Sequence, residues 1–241
     1  MATVAAHYQN VLSDVYSWML GGFESQLTKN RNFFETLSIH PTGSAVAVDL
    51  GAGCGFQSIP LAARGFSVTA IDLDENLLAE LKVHDVTEQV AVVCDDMLNF
   101  ASHVPASSEL IICMTDTLLH LETKDKVSKL FSQVFNHLEP AGQFVITFRD
   151  LSDALENLDR FIPVKQDDDT ILTCFLEYEP DTVKVHDLVY LQTDGAWRLK
   201  KSFYRKLRLS PIWVKDHLIS AGFSEVDADI KNGLVTVIAG K

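Results

Sequence analysis

From Ala45 onward, short apolar runs alternate with stretches whose apolar residues recur every three or four positions. The runs predict strands at 45–50, 67–72, 89–94, 109–114 and 142–148, and the amphipathic stretches predict helices at 56–64, 74–83 and 123–138. The last of these helices carries Val127, Leu130, Phe131, Val134, Phe135 and Leu138 on one face, and Pro140-Ala141-Gly142 reads as its stop. Such alternation builds a parallel sheet with helices on both faces, and ligands then sit at the carboxyl ends of the strands. The expected fold class is therefore α/β and Rossmann-like.

The flanks follow other periods. Residues 1–40 read as two helices broken at Gly21-Gly22, with one stripe of Tyr8, Val11, Leu12, Val15 and Leu20 and another of Phe23, Leu27, Phe33, Phe34 and Leu37. This segment is read as a cap over the sheet, with plain packing as the alternative. Residues 151–209 change to alternation, with strand-like runs at Ile171–Tyr178, Val183–Gln192 and Trp197–Leu209 joined by Pro180-Asp181 and Asp194-Gly195, an antiparallel insertion. Residues 210–241 return to the core with a helix begun by Ser210-Pro211 and ended by Gly222, then strands at 224–229 and 234–239. The domain plan is thus cap 1–40, core 41–150, insertion 151–209 and closing elements 210–241.

The core's first strand runs into Gly51-Ala52-Gly53-Cys54-Gly55, alternate glycines that let a ligand approach the main chain. Asp72 closes the second strand about 20 residues later, the distance at which a βαβ unit offers a carboxylate to ribose hydroxyls. The spacing is G-x-G-x-G and not the G-x-G-x-x-G that cradles a pyrophosphate, and Asp49 stands just ahead of the glycines, where it suits an ammonium group better than a diphosphate. A nucleoside with an amino-acid tail fits this pattern, and a nicotinamide dinucleotide is the competing ligand.

Val48-Asp49-Leu50-Gly51-Ala52-Gly53-Cys54-Gly55 resembles the first motif of the class I S-adenosylmethionine-dependent methyltransferases, and Asp72, Val92-Val93-Cys94-Asp95-Asp96-Met97 and Leu110 to Asp116 resemble that family's later motifs in order. The resemblance implies a seven-stranded sheet with S-adenosylmethionine as cofactor and S-adenosylhomocysteine as product. It implies that Asp49, Gly51, Ala52, Gly53, Gly55 and Phe56 surround the amino-acid tail, that Asp72 and Leu73 hold the ribose, that Asp96 and Met97 touch the adenine, and that Met114 and Thr115 lie beneath the methionine part.

Methyl transfer mainly requires the reactants held in line and water excluded, so a base is optional. Asp116 and His120 follow the fourth strand and are the candidate catalytic residues, His120 having helix packing as its alternative. Tyr16, Arg149, Tyr204 and Arg205 are candidate substrate residues. Arg149 has a pairing with Asp150 as its alternative, and Arg205, expected to reach the cleft with Tyr204 on a bulge, has a basic solvated face. On the strand 197–209, Trp197, Leu199, Phe203, Leu207 and Leu209 are expected on the apolar face and Arg198, Lys200, Tyr204, Lys206 and Arg208 on the exposed one.

Composition narrows the partners. A formal net charge of −13 argues against a broad nucleic-acid footprint and favours a small-molecule substrate, leaving the basic strand as the only support for RNA or protein. The absence of a long apolar run predicts no membrane contact and a cytoplasmic location, as a monomer or homodimer. Cys54, Cys94, Cys113 and Cys174 have no C-x-x-C spacing and read as packed thiols, and Asp167-Asp168-Asp169 reads as a solvated loop, so no metal is expected. The functional expectation is methyl transfer to a nucleophilic N or O of a small molecule. A non-catalytic cofactor-binding protein is the alternative.

Overall fold

The computed structural model describes residues 3–86, 88–104 and 107–241. Its N-terminal segment comprises α1 (Val4–His7), a wide turn over Tyr8–Leu12, a tight turn over Ser13–Val15 and α2 (Tyr16–Met19). Gly21 and Gly22, both at positive φ, separate it from α3 (Phe23–Thr36). The core then runs β1 (Val46–Leu50), α4 (Ser58–Ala63), β2 (Ser67–Asp72), α5 (Glu75–His84), β3 (Val90–Cys94), β4 (Ser108–Cys113), α6 (Lys124–His137) and β5 (Leu138–Arg149). After these come β6 (Phe161–Gln166), β7 (Thr170–Tyr178), β8 (Thr182–Thr193), β9 (Ala196–Leu207), α7 (Pro211–Ala221), β10 (Glu225–Lys231) and β11 (Leu234–Gly240).

Seven strands form one sheet in the order β10-β11-β5-β4-β1-β2-β3. The five from β5 to β3 are parallel, and β11 runs antiparallel to both β5 and β10. The central strands are covered on both faces, which is why Ala47, Val48, Leu50, Leu110, Ile111 and Ile112 are all buried in continuous apolar runs. Burial of each such large side chain stabilises the fold by about 1.5–3 kcal/mol relative to exposure. Phe131 on α6 meets Phe144 on β5 edge-on at 6.1 Å, joining helix layer to sheet. Asp74 caps α5 by accepting from the N–H groups of Asn76 and Leu77, and Ser210 caps α7 ahead of Pro211, as their positions foretell.

The second sheet, β6-β7-β8-β9, is antiparallel. Its inward residues Leu172, Cys174, Leu176, Val183, Val185 and Val189 pack against Val11, Leu12 and Val15 of the N-terminal segment. That segment is less regular than the expected helix. Its turns bring Val11, Leu12 and Val15 to the insertion while Tyr8 and Tyr16 also reach the glycine loop.

Several expectations need revision. β6 escaped the sequence pattern because Pro163 interrupts it and its pairing with β7 slips at Pro163/Lys165, features confined to edge strands. No loop separates α6 from β5. Pro140-Ala141-Gly142 forms an irregularity inside β5, with Ala141 at φ 65° and the β4 pairing shifted between Ser108 and Leu110. Cys94, expected as a packed thiol, is exposed at the end of the edge strand β3. Asp167 is not merely solvated, since it accepts a hydrogen bond from the Trp18 indole and ties the insertion to α2. Among the described residues no helix is long and apolar enough to cross a membrane.

Candidate active site

The loop after β1 is held in place by main-chain bonds. The amides of Gly51 and Ala52 donate to the Ile71 carbonyl at 2.8 and 3.0 Å, drawing the loop against the end of β2. A Cβ on Gly51 would lie 2.1 Å from the Thr117 side chain, and φ is +76°, so this position accepts glycine alone. Gly53 differs, because a Cβ there would meet nothing closer than Tyr16 at 3.6 Å. Its amide donates to Asp72 Oδ2 at 2.8 Å, while the Asp74 amide donates to Oδ1 at 2.9 Å. Burial raises the Asp72 carboxyl above its ordinary range despite these two donors.

Around this loop lies a narrow cavity of about 80 Å³. Gly51, Gly53, Asp72, Leu73, Met97, Thr115 and His120 line it from the core, and Val4, Ala5, Tyr8 and Tyr16 close it from the cap. The remaining candidates sit elsewhere. Asp49 is buried beneath the loop, where its carboxylate accepts from Ser58 Oγ at 2.6 Å and burial pushes it up to about 7. Ala52, Phe56 and Met114 are core residues behind the wall, and Gly55 is held against the Leu81 side chain. Asp96 caps the turn at Met97 by accepting from the Leu98 amide, and Asp95 lines the cavity in its place. A bond from His103 at 2.7 Å helps hold Asp95 at about 2.

A second cavity of about 500 Å³ shares Tyr8, Tyr16 and Thr115 with the first and extends between the cap, the insertion and the end of β5. Thr115 and Asp116 form its floor in consecutive left-handed conformations, φ 57° and 66°. Such backbone costs about 1–3 kcal/mol per residue, and local bonds offset it. Thr115 N donates to Thr147 Oγ1 at 2.8 Å, Arg149 N donates to Asp116 Oδ1 at 2.7 Å, and Lys206 Nζ donates to Asp116 Oδ2 at 2.7 Å. Burial alone would raise Asp116, but Lys206 and Arg149 outweigh it and hold the carboxylate at about 2.

Aromatic rings gather where the cavities meet. His120 lies 5.7 Å from Tyr8 and 5.3 Å from Tyr204 between ring centroids, and Tyr8 lies 5.9 Å from Tyr16. Burial, with Lys206 adding to it, depresses His120 to about 3, so the imidazole is neutral at ordinary pH. Behind Tyr204, His7 Nε2 is 2.9 Å from Asp187 Oδ2 in a buried pair whose Asp187 side lines the second cavity.

The structure brings Tyr16, Arg149 and Tyr204 to the second cavity but turns Arg205 away. The β8–β9 register is unbroken, so no bulge exists and Arg205 faces opposite to Tyr204, bonded to Glu179 at 2.7 Å. The expected faces of β9 are correspondingly reversed over 203–206, with Tyr204 and Lys206 buried, while Trp197 and Leu199 are exposed. Arg149 is largely exposed and its Nε stands 3.9 Å from Asp116, whereas Asp150 bonds to Ser152. Sequence reasoning missed Lys206, Asp187, His7 and Asp95. The signal for Lys206 was its even spacing from Tyr204.

Residues 47–142 match a family model described as a methyltransferase domain. The putative methyltransferase YqeM of Bacillus subtilis (strain 168) is 37% identical over 97 residues, which cover 39% of this chain and 38% of that protein. In the solved CcbJ methyltransferase of Streptomyces caelestis, 96% of each chain aligns with a TM-score of 0.76 at 20% identity. Residues 47–142 thus match a methyltransferase domain, and the chain as a whole shares its fold with solved S-adenosylmethionine-dependent methyltransferases. CalS10 of Micromonospora echinaspora, an amino pentose methyltransferase solved with S-adenosylmethionine bound, shares the fold over 94% of this chain and 95% of that one, with a TM-score of 0.71 at 14% identity. The chain spans well under half of the curated relative YqeM. The family match itself runs from β1 into β5 and so covers the glycine-loop side of the molecule, while the cap and insertion that wall the second cavity lie outside it.

Proposed function

We propose that this protein transfers the methyl group of S-adenosylmethionine to an amine nitrogen of a small molecule. The residues of the narrow cavity suit that cofactor. The Asp72 and Asp95 carboxylates can accept from sugar hydroxyls, Leu73 and Met97 offer apolar contact to a base, and Gly51 and Gly53 present main chain to the cavity with no side chain over it. The bound cofactor supplies a methyl carbon on a positively charged sulfur.

The protein's own part is to hold an acceptor in line with that carbon and to exclude water. Tyr8, Tyr16 and Thr115, which wall both cavities, mark the place of transfer. The weakness of the two candidate bases, Asp116 and His120, supports the choice of nitrogen. His120 at about 3 and Asp116 at about 2 cannot remove a proton from an alcohol, whereas an unprotonated amine attacks unaided and the resulting ammonium releases its proton to water. The carboxylates of Asp116, Asp150, Asp153 and Asp187 outnumber Arg149 and Lys206 in the cavity, a balance that draws in an amine as its ammonium ion, which attacks once it has lost that proton to water. CalS10, described as acting on an amino sugar, lends the reading support.

The test has two arms. Calorimetric titration with S-adenosylhomocysteine should show binding, and a mass-spectrometric screen of amino sugars beside their hydroxy counterparts should show methylation of the amines only. Methylation of the hydroxy compounds would overturn the choice of nitrogen, and silence in the titration would overturn the cofactor.

A further inference from the structure

The outward face of the four-stranded sheet carries a row of rings that the proposed chemistry does not use. Phe161, Phe175, His186 and Phe203 are mutual register partners on successive strands. Their centroids are 4.6, 5.6 and 5.1 Å apart, so one aromatic ladder crosses all four strands. Farther along the same face, Ile171, Tyr190 and Leu199 form a second apolar row. Phe161 is 53% exposed, Trp197 46% and Leu199 42%. A recess of about 540 Å³ opens beside the ladder.

We propose that this face is the contact between two copies of the chain, which pack sheet to sheet. The size fits. Strands of 6, 9, 12 and 12 residues spaced about 4.8 Å apart present roughly 640 Å², near the ~800 Å² that each partner contributes to a standard stable interface. The charge also fits. On a protein of formal net charge −13, self-association needs a region without excess acid. Here the acids of the face are met by bases, Glu177 by Lys184 and His186 at 2.6 and 3.1 Å, and Glu179 by Arg205 at 2.7 Å. Self-complementary contact of this kind closes into a two-fold dimer, and aromatic side chains are the residues that dominate such interfaces. The opposite face of the same strands, with Leu172, Leu176, Val185 and Tyr204, walls the second cavity, so the partner copy backs the wall of the proposed acceptor site.

Light scattering after size exclusion should give the 241-residue chain twice its 26.8 kDa mass at micromolar concentration. Leu199→Glu, on the exposed part of the face, and Phe203→Glu, in the ladder, should each raise the dimer dissociation constant by about 30-fold or more. Circular dichroism would separate dissociation from unfolding, and the solvent-exposed Leu199 site keeps the test usable if Phe203→Glu does not fold. A monomeric parent protein would overturn the proposal, as would folded Leu199→Glu that stays dimeric with parental affinity. A monomer that instead retards a labelled single-stranded oligonucleotide would assign the aromatic and basic face to nucleic acid and equally refute it. S-adenosylhomocysteine titration reports on the other side of the sheet, so failure here is distinguishable from failure of the methyltransferase reading.

Discussion

Lys206→Met removes an ammonium from the floor of the second cavity while keeping most of the stem. Asp116 Oδ2 then loses its 2.7 Å partner, and the carboxylate keeps the Arg149 amide at 2.7 Å and its guanidinium at 3.9 Å. The side chains of both members of the pair are about a tenth exposed, so solvent screens little of the interaction. A carboxyl that ordinarily titrates at 3.8 and here at about 2 contributes on the order of 2 kcal/mol at neutral pH. Without Lys206, burial dominates and the carboxyl moves above its ordinary value. The loss at pH 7 is therefore about 3 kcal/mol, the low end for a broken buried pair because Arg149 remains. The two proteins respond oppositely to acid. In the parent the folded value is depressed, so its contribution is full above about pH 4 and disappears as pH falls through about 2. In the variant the folded value is raised, so the penalty is full at neutral pH and vanishes on acidification. Urea unfolding followed by tryptophan fluorescence should thus show a gap roughly 2 kcal/mol smaller at pH 3 than at pH 7. The double variant Lys206→Met/Asp116→Asn should recover much of the loss, since no unpaired charge remains. A gap independent of pH, or one below about 1 kcal/mol at pH 7, would refute the reasoning.

His120 is held at about 3, so its imidazole proton signals should not titrate above pH 5 in a nuclear magnetic resonance experiment, and a midpoint near 6.5 would show it to be solvated. Because its folded value lies below the unfolded one, its share of stability is full above pH 6.5 and declines as pH falls toward 3, which thermal melts of His120→Phe against the parent should reveal. Asp72→Ala should weaken S-adenosylhomocysteine binding by about 1.5–3 kcal/mol in calorimetry, and unchanged affinity would remove Asp72 from the ribose site. Gly51→Ala forces a Cβ to 2.1 Å from Thr117 and should cost more than about 2 kcal/mol, whereas Gly53→Ala makes only ordinary van der Waals contact with Tyr16 and Leu77 and should cost only the backbone term of about 1 kcal/mol, a ranking that thermal denaturation of the pair can reverse or uphold.

The core was legible because its physics is local. A buried parallel strand must be largely apolar, a helix end must be capped, and a tight turn at positive φ pressed against a neighbour must be glycine, so Val46–Leu50, Asp74 and Gly51 announce themselves one residue at a time. What the pattern concealed shares a different cause. Alternation in a strand separates an apolar face from a polar one, but it does not say which faces inward; that assignment assumes solvent outside and oil inside. On β9 both halves of the assumption fail. The inward face borders a cavity whose floor is an ion pair, so Lys206 is buried with Asp116 and Tyr204 with His120. The outward face bears Phe203, Leu199 and Trp197, which the pattern alone would have turned to the core. The same reversal sent Arg205 to the wrong side and left Lys206 unread. Two adjacent acids at a strand end are likewise indistinguishable in the sequence, and the structure separates them: Asp96 caps a turn and Asp95 lines the narrow cavity. A strand whose polar face is inside and whose apolar face is outside violates the hydrophobic rule only for an isolated chain. It obeys the rule if the cavity receives a polar molecule and the exposed rings meet a second copy. The inverted amphipathicity of β9 therefore joins the proposed acceptor site to the proposed dimer through one strand.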